Sequence, residues 1–140
     1  MRLLFGILFA LSVMPLFGKS DVVYLEKVGN GGTRVFSVVV PVMDKEPETI
    51  DLAKRTLINA LLFEGVENYN GGFPLVSNPE HIYAKEMVDP NKGQYRIYSK
   101  EIYYENRNSR SLAYFTIVLN HFNLLRVLNM RKAMDTPFAE

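Results

Sequence analysis

The sequence predicts an α+β fold: an antiparallel sheet of two hairpins with helices packed on one face, in the order ββα-loop-ββα. Three observations carry this. Two pairs of β-branched and aromatic runs each flank a short turn stretch, an amphipathic helical stretch follows each pair, and the βαβ alternation of a parallel sheet is missing.

Ahead of the first hairpin stand Arg2, an almost unbroken apolar run over residues 3–14, and small or polar residues over 15–20. These are the three zones of a secretory signal. The apolar stretch is broken by Gly6, Ser12 and Pro15 and falls short of the roughly 20 residues a helix needs to cross a bilayer. Gly18 and Ser20 offer the small side chains that the signal peptidase needs if cleavage precedes Asp21. The expectation is a signal peptide over residues 1–20 and a single α+β domain over 21–140, exported to the periplasm or beyond, with no stable membrane span after cleavage.

Residues 22–28 and 33–42 form the first strand pair, separated by Gly29-Asn30-Gly31-Gly32, a cluster that tolerates positive φ and so reverses the chain. Its glycines also suit a phosphate cradle, but a strand follows where a helix N-terminus is needed, and the P-loop lysine is missing, so the stretch reads as a turn. In the second strand Phe36, Val38, Val40 and Val42 alternate with Val35, Ser37, Val39 and Pro41, which assigns the first set to the core. Pro41 has no N–H to give a ladder and marks an edge or a strand end.

From residue 48 to 64 the apolar period becomes helical, with Ile50, Ala53, Leu57 and Leu61 on one stripe and Ala60 and Phe63 widening it. Pro47 suits the helix start, Glu48 and Asp51 oppose its positive end, and Gly65 closes the helix. Residues 66–93, rich in glycine and proline, read as a long connection with one short helix over 79–87 capped by Asn78. A second hairpin, residues 94–104 and 111–119 around Asn106-Arg107-Asn108, leads to a last amphipathic helix over 121–134 with Asn120 as its cap.

Composition narrows the function classes. Cysteine is absent, which excludes disulfides, thiolate metal sites and a thiol nucleophile. Without Arg2 and Lys19, 14 of the 16 basic residues remain against 15 acidic ones, a balance with no basic excess to neutralise phosphates, so no nucleic acid is expected as partner. With its leader, this order of elements and the helix end Ala60-Leu61-Leu62-Phe63-Glu64-Gly65, the chain resembles the small envelope-lipoprotein domains of bacterial flagellar assembly over residues 22–119. The resemblance implies a structural or assembly role at the envelope and no catalytic residue. The family's lipid-bearing cysteine is missing here.

Candidate chemistry is sparse. His81 with Glu80 and Glu86, or with His121, lacks the HxH or HExxH spacing that sets two ligands on one face, so neither a metal nor a cofactor is expected. Ser77, His81 and Asp89 form a nucleophile, base and acid on paper, without the glycines of a nucleophile elbow. Aromatic residues gather in the loop and the second hairpin: Tyr69, Phe73, Tyr83, Tyr95, Tyr98, Tyr103, Tyr104 and Tyr114. Tyrosine joins a flat apolar face to a hydroxyl and suits a protein or glycan surface. The candidate binding residues are therefore Tyr69, Phe73, Tyr83, Tyr98 and Tyr103, in a non-enzymatic exported domain whose partner is another envelope protein or a glycan. The alternative is a small periplasmic hydrolase, or an inhibitor of one, using the 66–93 loop. The leader carries its own test: mass spectrometry of envelope fractions is expected to find a chain beginning at Asp21, and recovery of intact Met1 chains only would overturn the cleavage.

Overall fold

The computed structural model describes residues 21–139, and the signal peptide expected over 1–20 lies outside the described residues. Strands β1 (Val22–Val28) and β2 (Thr33–Pro41) make the first hairpin, and β3 (Ile97–Arg107) and β4 (Arg110–Asn120) the second. β2 pairs with β4, so the sheet runs β1-β2-β4-β3 with every neighbour antiparallel. The second hairpin turns at Asn108 and Ser109, whose φ of 53° and 65° are those of a two-residue turn matched to strand twist. Asn106 and Arg107, expected within the turn, pair with Ser111 and Arg110 instead.

Register sets the layers. Phe36 lies opposite Ile117, Val38 opposite Phe115 and Val40 opposite Ala113, all on the face covered by the helices, and all are buried. Val42, expected among them, stands beyond the strand end at Pro41 and is 37% exposed.

Helix α1 (Glu46–Asn59) starts two residues ahead of the expected position because the segment before it is well tied. Glu48 accepts from the Lys45 N–H (3.3 Å), and the buried Thr49 hydroxyl accepts from that of Met43 (2.9 Å). Ala53, Leu57, Ile58 and Leu61 are fully buried, as an apolar stripe facing a sheet must be. The helix then widens into a π-turn over Ala60–Glu64, closed by the Gly65 N–H on the Ala60 carbonyl (2.7 Å). Widening frees the carbonyls of Leu61 and Leu62, which accept from Leu75 and Val76, each at 3.0 Å. Gly65 sits at φ 91°, and a Cβ there would lie 2.4 Å from the Gly72 carbonyl oxygen.

The long connection, with its one short helix as expected, packs part of its length into the domain and leaves Phe73 and Tyr83 exposed. Val66, Tyr69, Leu75, Val76, Ala84 and Met87 all belong to the core. The short α2 (Ile82–Glu86) is capped by the His81 ring, whose Nδ1 accepts from the Ala84 N–H (3.3 Å). Asn78, expected in that role, accepts from Glu80 in a turn before the helix. Helix α3 (His121–Met130) has the expected Asn120 cap, accepting from Asn123 (3.2 Å). It stops four residues before the expected end because Lys132 adopts φ 56° and the N–H groups of Lys132 and Ala133 fold back on the carbonyls of Asn129 and Leu128. Leu61→Ala, removing a fully buried side chain where helix and loop meet, is expected to cost about 2–5 kcal/mol in urea unfolding, and an unchanged midpoint would contradict this packing.

Candidate functional site

The strand alternation that buries Phe115 and Ile117 sends the neighbouring residues to the opposite face of the sheet. Among the described residues no helix contributes to that face. Tyr103 and Tyr114 are directly paired across β3 and β4, their rings stacked at 4.8 Å between centroids and 4° between planes. Tyr103 is 61% exposed, so one of its ring faces meets Tyr114 and the other meets water. Tyr98 pairs with Val118 on the same face and is also exposed. Val35, Leu112 and Val118 are buried without joining the core cluster, and they give this face an apolar floor.

Carboxylates frame the tyrosines. Glu101 pairs with Thr116 and Glu105 with Leu112 on β3, while Glu26 pairs with Val35 on β1. The Tyr114 hydroxyl donates to Glu105 (2.7 Å), and Arg107 reaches the same oxygen (3.1 Å). These contacts, the tyrosine bond first, hold the Glu105 carboxyl below its usual range. Burial and the Glu105 bond push the Tyr114 hydroxyl up to about 12, so it stays a donor at any physiological pH. Glu26 and Glu101 form no ion pair among the described residues.

The five sequence-derived binding residues do not form one surface. Tyr98 and Tyr103 share the open sheet face. Phe73 is exposed beside Pro74 and the C-terminal segment 135–139. Tyr83 lies on α2, with the Arg131 guanidinium 5.8 Å from its ring centroid. Tyr69 is 2% exposed and cannot meet a partner, a correction whose cause is an aromatic cluster that encloses it. Its ring packs against Tyr24, Phe36, His121 and Phe138, and its hydroxyl bonds His121 Nδ1 at 3.1 Å. Tyr114, Glu101 and Glu105 complete the open face. Tyr114 lies on β4, and the bulge between Ser99 and Glu101 shifts the alternation of β3, so only the registration of β3 on β4 shows that these three adjoin Tyr98 and Tyr103.

The paper triad is not assembled. Ser77 donates to Asp135, His81 caps α2, and Asp89 pairs with Arg55 at 3.3 Å. Among the described residues no three histidine or acidic side chains gather as metal ligands. No protein-family model matches the chain, and no curated protein or solved structure matches it.

His121 is the one strongly perturbed imidazole. It is fully buried, its Nε2 has no hydrogen-bond partner, and burial, then Arg34 and Lys27, lower its pKa to about 4 from 6.5. The folded state therefore binds fewer protons than the unfolded state between those values, so stability is complete above about pH 6.5 and falls as pH drops toward 4. The expected loss is on the order of 3 kcal/mol at most. Unfolding measured from pH 7 to 4 is expected to show a shallower pH slope for His121→Leu than for the wild type, whatever the variant's absolute stability. Equal slopes would exclude this histidine as the titrating group.

Proposed function

We propose that the chain is a non-enzymatic exported domain of the cell envelope that binds a basic protein surface through the open face of its sheet. The observation that carries this reading is the exposed pair Tyr98 and Tyr103, with the half-buried Tyr114 stacked under Tyr103, over an apolar floor and framed by Glu26, Glu101 and Glu105. Tyrosine contributes large contact area at little cost in side-chain entropy, and aromatic residues concentrate in the cores of protein interfaces. The carboxylates favour a partner that presents lysine or arginine, because such side chains pair with the acids and lie over the exposed ring of Tyr103. An N-terminal leader of secretory type and a cysteine-free composition support an envelope location, and the resemblance to flagellar-assembly lipoprotein domains supports an assembly role.

Capture from envelope extracts, with bound proteins identified by mass spectrometry, tests the reading. The wild type, Phe73→Ala and Tyr83→Ala are expected to retain one and the same protein with a basic surface. Tyr98→Ala/Tyr103→Ala and Glu101→Lys are expected to lose it at unchanged melting temperature, and capture by the wild type is expected to weaken as salt rises. Retention by the double tyrosine variant, or binding of a glycan alone, would overturn the proposal.

A further inference from the structure

On the helix side of β3, away from the tyrosine pair, lies a cleft of about 510 Å³ between the outer flank of α1, the corner at Pro90 and Asn91, and the start of β3. That volume lies within the range of roughly 300–1,000 Å³ occupied by small-molecule sites. Pro47, Ile50, Pro90 and Ile97 give it apolar walls.

Two sets of contacts hold the walls in place. Arg55 binds Asp51 through Nε at 2.5 Å and reaches Asp89 at 3.3 Å, so it ties the helix to the chain segment that forms the corner. Tyr95, buried at the cleft, donates its hydroxyl to the Met87 carbonyl. The cleft is thus preformed.

Its charge is one-sided. Asp51 is the one carboxylate lining it, and that group is neutralised by Arg55. Lys54 and Arg96 also line it, and neither forms an ion pair among the described residues. Two unpaired cations from different elements, one on α1 and one at the entrance to β3, converge on an apolar concavity. We infer that this cleft binds a small organic anion, its carboxylate or phosphate head between Lys54 and Arg96 and its apolar body against Pro47, Ile50 and Pro90.

The inference is independent of the sheet-face reading, although Tyr98 borders both places. An NMR titration of the 15N-labelled protein with phenyl phosphate tests it. Saturable shifts are expected at the amides of Lys54, Asn91, Arg96 and Tyr98. Lys54→Ala/Arg96→Ala is expected to weaken binding at least tenfold at unchanged melting temperature. Benzyl alcohol, which lacks the charge, and inorganic phosphate, which lacks the apolar body, are each expected to bind more weakly than phenyl phosphate. Tyr103→Ala, which disables the sheet face, is expected to leave this titration unchanged, so each proposal can fail alone. Raised salt is expected to weaken phenyl phosphate binding to the wild type, a check that needs no variant. Shifts scattered over the surface, equal affinity in the double variant, equal binding of benzyl alcohol, or indifference to salt would each overturn the site.

Discussion

The pairing of β2 with β4 is the contact on which the rest of the domain depends. Each hairpin is a local structure that its own turn can specify, but a two-stranded ribbon has no stable core of its own. The seam from Thr33 opposite Asn120 to Pro41 opposite Leu112 makes the two ribbons one sheet. It also decides every face. Because strand side chains alternate, a slip of one residue would bring Val35 and Val39 inward and turn Phe36 and Val38 to water. The apolar stripes of α1 and α3 then have one surface to cover, where Phe36, Val38, Phe115 and Ile117 lie together.

The seam ends at a packed polar node. The His121 N–H donates to the Gly32 carbonyl (2.7 Å), which brings the first hairpin's turn onto the start of α3. Glycine at 32 is required by this approach, since a Cβ would lie 2.7 Å from the Phe122 ring. Beneath it the His121 imidazole accepts or shares a proton with the Tyr69 hydroxyl, so the long connection, the last helix and the Phe138 segment meet at one buried pair. A neutral imidazole is tolerated there because two of its contacts are aromatic edges and one is a hydroxyl. A charged one would face Arg34 and Lys27 with no carboxylate among the groups that act on it.

The hairpins, both long helices and the Asn120 cap could be read directly from the sequence, because each rests on residues close in the chain: turn formers, a period of two or of 3.6, and a capping side chain. The 66–93 segment was legible as an irregular connection with one short helix, but its packing into the core was not, for a physical reason. Its glycines and prolines signal irregular backbone correctly, but irregular backbone is not the same as exposed backbone. Leu75 and Val76 find their hydrogen bonds on carbonyls released by the π-turn, and no local pattern announces that turn. Tyr69 was misplaced with it, since its partner His121 is 52 positions away. Tyr98 and Tyr103 stand five positions apart, which plain alternation would set on opposite faces, and the bulge at Lys100 brings both to the open face. That Glu101, Glu105 and Tyr114 adjoin them depends on register, which the sequence leaves open.

The two outer strands bear on how a partner would engage the sheet. β1 carries a bulge between Tyr24 and Glu26, and β3 one between Ser99 and Glu101, with Leu25 and Lys100 as the unpaired residues. A bulge twists an edge and interrupts the row of backbone donors and acceptors that an added strand would need. Both outer strands of this sheet are therefore poor templates for strand addition. Recognition through side chains of the open face avoids that obstacle, and tyrosine makes such a face compatible with water in the free protein, because its hydroxyl stays solvated or bonded while its ring remains available. The Tyr114 hydroxyl, held by Glu105, fixes the lower ring of the stack and presents Tyr103 as a rigid platform. A preoriented ring loses less entropy when a partner settles on it, which is the condition under which a small open surface contributes most to affinity.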